Sequence, residues 1–353
     1  MKILLVGAYP PPHGGVEVHV RHLEKYLLSR GHDCFVMNMG KNKELAAANL
    51  SSPKYALQAA FLLFRMRDRL CHLHFGGTLH IRLILLTLFS NFVFQGRCVL
   101  TIHSGGLPQW GTPKGITRRT LMRTAFSGCG AVICVNREIK EYFMDLGINT
   151  AKLHIISPFA FSGIKVENSI PSRIKDFMKK KSTLLCSVGG LEPEYGVEFL
   201  IGAFKKYLRH RPDSALVIIG CGSLEKEIRT FIRNSSLQEN VLLTGDLGHR
   251  QTLAVMSSSH CFIRPSFFDG DCISLREAIH IGIPAIASDN GMRPEGTILF
   301  PIGDEDKLLE RMLQSTSTPP LNTVNTARSD YSALSEVEKV LFSIENQPYN
   351  PGM

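Results

Sequence analysis

Asp269 and Glu277, separated by seven residues, lie in the stretch Arg264–Ala278. There an apolar strand, Cys261–Arg264, runs into a polar loop with Gly270 and then into a helix. Asp269 falls in the loop and Glu277 about one turn into the helix, so both can face one cleft. Carboxylates so placed accept hydrogen bonds from the hydroxyls of a sugar or ribose. Loop amides around Gly270, Asp271, Cys272 and Ile273, with the helix amino end behind them, suit a phosphate. Helix capping by Asp269 and Asp271 is the simpler alternative. It does not explain Glu277 beside Arg276 inside an otherwise apolar helix.

Other chemistry-bearing residues also follow strands. Pro10–Val16 holds Gly14 and Gly15 between a strand and a helix. Such a turn lets backbone approach an anion, or is a plain connection. It lacks the G-x-G-x-x-G dinucleotide fingerprint. His103 closes the apolar strand Cys98–His103 before Gly105 and Gly106, which suits either a cleft lining or a structural role. Gly220 and Gly222 form a lone G-x-G that reads first as a tight turn. Asn290–Gly296, with Arg293, follows another strand and can close the same site.

The elements that position these residues alternate. Lys2–Ala8, Cys34–Met39, Cys71–His74, Cys98–His103, Ala131–Val135 and Leu153–Ile156 read as strands. Helical segments such as Val16–Ser29 and Arg137–Leu146 lie between them and stop at Gly31 and Gly147. Periodicity fails between Pro158 and Lys181, where a linker is expected. A second series follows, with strands at Thr183–Val188, Ala215–Ile219, Val241–Leu243, Cys261–Arg264 and Pro284–Ser288. Ser335–Ile344 reads as a last helix. The pattern predicts an α/β protein of two Rossmann-like domains with parallel sheets. The expected divisions are 1–163, 164–330 and a terminal helical segment, 331–353, that can pack back on the first domain.

A length of 353 residues fits two domains. The charge is lopsided: residues 1–163 carry 19 Lys/Arg against 8 Asp/Glu, or +11, and residues 164–353 carry 21 against 23, or −2. The first half therefore faces something anionic. Arg65, Arg67 and Arg69 beside Phe61–Phe64, and Arg118, Arg119 and Arg123 beside Ile116 and Leu121, suit an anionic membrane surface or a solvated helix face. With one Trp and no interleaved aromatics, nucleic acid is not the expected partner. Nine scattered cysteines without a C-x-x-C pair read as reduced thiols of a cytoplasmic protein, with no metal expected. The longest apolar run, Ile81–Phe94, is too short to span a bilayer and reads as a buried helix.

Taken in order, these motifs resemble the family-4 retaining glycosyltransferases, of GT-B architecture. The resemblance spans nearly the whole chain. It rests on Gly14–Glu17, Thr101–His103, Val188–Gly196, Gly220–Ser223, Asp269 through Ala278, and Gly282–Ser288. It implies that Glu277 holds the nucleotide ribose, that Asp269 meets hydroxyls of the transferred sugar, and that His103 lies near the reacting carbon. These three form the implied catalytic set. Gly14, Gly15, Gly189, Gly190, Gly222, Arg264, Gly270, Asp271, Cys272, Ile273, Arg276 and Arg293 form the implied donor-binding set.

Two departures from the family stand out. Asp269 replaces Glu and is one methylene shorter. Gly190 and Tyr195 replace the Arg and Lys that usually neutralise the leaving diphosphate. Arg264, Arg276 and Arg293 flank the Asp269 loop and are the candidates for substitute charge. The implied activity is transfer of a sugar, with retention, from a nucleotide-diphosphate sugar, with UDP expected, to a carbohydrate or lipid-linked glycan. It needs no cofactor or metal and takes place in the cytoplasm or on the inner face of the cytoplasmic membrane. The alternatives are an inactive GT-B partner subunit and a sugar-nucleotide epimerase of the same fold.

Overall fold

The structure, a computed structural model, describes residues 1–40, 42, 44–45, 47–77, 80–107, 116–161, 170–317 and 330–346. The expected boundary at 163 falls at residues 162–169, outside the described residues, as does most of the polar stretch 316–328. The chain forms two compact units. One comprises Met1–Ala160 with the segment from Asp330 onward, and the other Phe161–Ser329.

The amino unit holds a parallel sheet of seven strands: β1 (Lys2–Gly7), β2 (Asp33–Asn38), β3 (Leu50–Ser51), β4 (Leu70–Phe75), β5 (Cys98–Ile102), β6 (Ala131–Cys134) and β7 (Leu153–Ile155). Their order is β3-β2-β1-β4-β5-β6-β7, so the chain reverses direction across the sheet between β1 and β4. The helices are α1 (Gly15–Ser29), α2 (Ala56–Arg65), α3 (Ile81–Phe94), α4 (Ile116–Ser127) and α5 (Arg137–Asp145). Continuous apolar strands such as Ile3–Val6 are fully buried, as strands covered on both faces must be. The side chain of Asn136 caps α5 by accepting from the Ile139 amide at 2.9 Å.

The carboxyl unit repeats the plan. Its strands are β8 (Thr183–Val188), β9 (Ser214–Ile219), β10 (Val241–Leu243), β11 (Cys261–Arg264), β12 (Ala285–Asp289) and β13 (Ile298–Pro301), in the order β10-β9-β8-β11-β12-β13. Its helices are α6 (Ser172–Met178), α7 (Val197–Tyr207), α8 (Glu225–Asn234), α9 (His249–Ser257), α10 (Ile273–Ile281) and α11 (Glu305–Ser315). The reversal lies between β8 and β11. The last helix, α12 (Ser332–Glu345), belongs to the amino unit. Its Leu334, Val337 and Leu341 join the core of Ile3, Leu5 and Val20, and its Glu338 carboxylate accepts from Tyr26 at 2.9 Å. The two-unit α/β fold with parallel sheets is the one that the strand–helix alternation predicts.

Helix α3 corrects one expectation. Only one face is buried, through Ile84, Val93 and Phe94, while Ile81, Leu85, Phe89 and Phe92 are exposed. An apolar run with no polar face has no helical period, so its composition does not show which side meets the sheet. No described helix is long and apolar enough to cross a membrane. All nine cysteines are free thiols, and Cys221 is exposed.

Candidate functional site

In the carboxyl unit the candidate residues gather at the reversal between β8 and β11, where ligands of open α/β sheets bind. Arg264 ends β11 and donates from Nη1 to the Val188 carbonyl at the end of β8, at 2.6 Å. Its Nη2 donates to Asp269 at 2.6 Å and its Nε at 3.2 Å. Arg293 donates to the same carboxylate at 2.7 Å, and to the Ser288 carbonyl at 2.8 Å and the Ser266 carbonyl at 2.9 Å. The Ser266 hydroxyl is a further donor to Asp269. The side chains of Arg264, Asp269 and Arg293 are only 8%, 10% and 3% exposed. Two guanidiniums thus share one carboxylate, and the cluster keeps one net positive charge. Burial raises the Asp269 pKa, but Arg264, Arg293 and the Ser266 hydroxyl outweigh it and hold the carboxyl at about 2.

The backbone around this cluster explains the glycines. A Cβ at Gly189 would collide with the Arg264 guanidinium. A Cβ at Gly190 would stand 2.8 Å from the ring of Tyr195, and that ring lies 4.5 Å under the Arg264 guanidinium carbon. Gly220 sits at φ +139, against the Gly189 carbonyl, and Gly222 lies against the Leu191 backbone. Gly190 and Tyr195, which stand where the resemblance leads one to expect Arg and Lys, therefore line the space beside Arg264.

The loop Gly270–Cys272 leads into α10, which starts at Ile273. Cys272 stands at the N-cap and makes no side-chain cap bond, while its carbonyl accepts from the Leu275 and Arg276 amides at 3.1 Å. Capping by Asp269 does not occur, because its carboxylate is turned to the two arginines. Asp271 pairs with Arg276, so Arg276 is engaged away from Asp269. Glu277, 3% exposed on α10, meets His249 Nε2 of α9 at 2.6 Å. Sequence reasoning missed His249 as well as Ser266. His249 precedes Glu277 by 28 residues on another helix, and no spacing links them.

In the amino unit, Gly14 is the N-cap of α1 without a side-chain cap bond, and Gly15 is the first helical residue. A Cβ at Gly14 would strike the Glu17 carboxylate. His103 follows β5, and its amide donates to the Phe75 carbonyl at 2.7 Å. It stands within a group of histidines. His74 Nδ1 is 3.3 Å from His103 Nε2, and the His19 Nδ1–H donates to the Pro158 carbonyl at 2.8 Å. Burial lowers the pKa of His19 to about 4 and of His72 to about 3, and carries His74 and His103 well below the ordinary histidine range. Burial thus favours the neutral form of all four imidazoles.

Residues 13–160 match the family model "Glycosyltransferase Family 4", and residues 170–298 match "Glycosyl transferases group 1". The chain is 25% identical over 232 residues to the UDP-Gal:alpha-D-GlcNAc-diphosphoundecaprenol alpha-1,3-galactosyltransferase of Escherichia coli, covering 59% of this chain and 58% of that one. It is 22% identical over 306 residues to the gpi3 subunit of the phosphatidylinositol N-acetylglucosaminyltransferase of Schizosaccharomyces pombe, covering 81% of this chain and 65% of that one. The match thus spans under two thirds of either relative. Among solved structures, Anabaena HepE in complex with UDP-glucose superposes with a TM-score of 0.68, at 15% identity and 98% coverage of both chains. WaaG, a glycosyltransferase of lipopolysaccharide biosynthesis, gives a TM-score of 0.65 at 15% identity, covering 98% of this chain and 96% of that one. With one matched model in each unit and two α/β units of the expected topology, the chain belongs to the glycosyltransferases of GT-B fold.

Proposed function

We propose that this chain transfers a sugar, with retention of its anomeric configuration, from a UDP-sugar to a carbohydrate or lipid-linked glycan acceptor in cell-surface polysaccharide synthesis. The observation that carries this reading is the buried Arg264–Asp269–Arg293 cluster. Its net positive charge lies at the β8/β11 reversal, next to Gly189 and Gly190 and near the amino end of α10. A diphosphate is the ligand that such charge beside a helix amino end favours.

In this reading Glu277, positioned by His249, receives the ribose hydroxyls. The diphosphate leaves toward the Arg264 and Arg293 charge and the α10 amides. An oxocarbenium-like centre forms at the sugar. The acceptor hydroxyl attacks from the face the diphosphate has left, and a donor phosphate oxygen takes its proton. Orientation and preorganised charge supply the acceleration. The transfer step itself uses no metal.

The relatives named above act, by their names, on a diphosphoundecaprenol-linked sugar and on phosphatidylinositol, which favours a lipid-linked acceptor here. The surface of the amino unit fits that acceptor. Leu57, Phe61 and Phe64 form an exposed stripe on α2, and Ile81, Leu85, Phe89 and Phe92 form another on α3, which packs beside it. Arg65, Arg67 and Arg82 flank them, and the three side chains are exposed. Apolar groups with flanking cations suit the interface of an anionic bilayer, here the inner face of the cytoplasmic membrane.

The purified chain, given a panel of nucleotide sugars and a polyprenyl-diphosphate sugar acceptor, should release UDP and form a product with the donor's anomeric configuration. An inverted product contradicts retention. Donor binding without turnover points to an inactive partner subunit, and acceptor-independent sugar inversion to an epimerase.

A further inference from the structure

Three histidines from three elements converge at the reversal between β1 and β4. They are His19 on α1, His74 on β4 and His103 just after β5. One ring nitrogen of each lies within 4.8 Å of the others. The ring centres are 5.4 Å apart for His19 and His74, 5.1 Å for His19 and His103, and 5.6 Å for His74 and His103. Three imidazoles on one tetrahedral ion, with bonds of about 2.0–2.1 Å, space their ring centres by roughly 5 Å and their ligand nitrogens by roughly 3.3 Å. The His74 Nδ1 to His103 Nε2 separation is 3.3 Å.

The hydrogen bonds set the same arrangement. A carbonyl only accepts, so His19 must carry its proton on Nδ1 to bond Pro158. In the neutral ring this leaves a lone pair on Nε2, which is buried with no hydrogen-bond partner. A buried acceptor left unpaired costs about 1–3 kcal/mol. A histidine whose other nitrogen donates to a backbone carbonyl is the usual form of a metal-bound imidazole.

We propose that His19, His74 and His103 form a binding site for a borderline-soft divalent ion of the Zn2+ class. All-imidazole ligation selects such ions over Mg2+ or Ca2+. The ion would replace the hydrogen between His74 and His103, satisfy His19 Nε2, and tie α1 to the ends of β4 and β5. Three protein ligands leave a fourth position for water or an anionic oxygen. The site departs from the expectation of a metal-free chain. It goes beyond the transfer reading and needs no donor to be tested.

The full chain, stripped with EDTA and dialysed, is titrated with Co2+ and then Zn2+. One Co2+ per chain with an intense tetrahedral visible band, displaced by Zn2+, is the expected result, together with a Zn2+-dependent rise in melting temperature. H103N should bind about tenfold more weakly or worse. Because that variant can perturb folding, imidazole 15N spectra of the wild-type chain provide a second reading. Zn2+ should shift His19, His74 and His103 and spare His72, whose Nε2 is engaged by Thr101 at 2.7 Å. Absence of the tetrahedral band in the wild-type chain, equal affinity in a folded H103N, or spectra in which those three rings do not respond would each overturn the site.

Discussion

Arg264 reaches Asp269 at 2.6 Å across the mouth of β11, and Arg293 closes on the same carboxylate from beyond β12. The shared acid holds two cations in a buried place without cancelling both. In the proposed transfer, these two cations take the place of the Arg and Lys expected at Gly190 and Tyr195.

Removing the shared acid should damage the carboxyl unit. Asp269→Ala leaves two buried guanidiniums without their carboxylate, and loss of one partner of a buried pair costs about 3–5 kcal/mol. Asp269→Asn keeps shape and some hydrogen bonding, and should cost less. Urea denaturation of both variants checks the order, and equal midpoints for D269A and wild type would refute the pairing.

The same carboxylate predicts an acid limit. Its folded pKa of about 2 lies below its unfolded value, so its contribution is present above about pH 4 and is lost as pH falls through about 2. At about 1.4 kcal/mol per pH unit, the loss amounts to about 2 kcal/mol. Unfolding free energies at pH 5 and pH 2.5 should diverge more for wild type than for D269N, and parallel curves would remove Asp269 from the account.

Gly189→Ala should act through Arg264, whose guanidinium occupies the space a Cβ needs. Overpacking of this kind costs about 1–3 kcal/mol. Gly190→Ala meets the edge of the Tyr195 ring, which can turn aside, so its cost should be smaller. Thermal melts and UDP titrations of the two variants provide the comparison, and a G190A defect larger than that of G189A would reverse the argument.

His249→Ala should weaken nucleotide binding by removing the partner of Glu277, and should lower stability by about 1–3 kcal/mol. Calorimetric titration with UDP tests this. Unchanged UDP affinity in a folded H249A would show that His249 does not position Glu277.

Phe61→Ser with Phe64→Ser should leave the melting temperature nearly unchanged, because both side chains are exposed. Binding to anionic vesicles should fall tenfold or more, since burying one Phe is worth about 1.5–3 kcal/mol. Flotation at low and high salt reads the effect, and equal flotation of variant and wild type would exclude this face.

The fold was legible because fully covered parallel strands read as unbroken apolar runs, and Gly31, Gly147 and Gly282 mark helix ends. Strand β3 spans two residues, too few for any period, and β13 and α11 follow the last strand the pattern resolved. Asp269 and Glu277 could be found because they share one loop and helix. Arg264 and Arg293 could be named with them because each follows a strand end beside that loop, but His249 could not, since it meets Glu277 only through the packing of α9 against α10. The cluster of His19, His74 and His103 was hidden for the same reason: strand order, not sequence spacing, brings α1, β4 and β5 together.

UDP affinity of the full chain and of Arg264→Met, measured by calorimetry, tests the central claim most directly. Arg264→Met leaves Asp269 paired with Arg293, so the variant should stay folded while the cluster loses its net positive charge. Wild type should bind UDP, and R264M should bind it at least about tenfold more weakly, the effect of losing one charge-assisted contact. Equal affinity in a folded R264M would contradict the account.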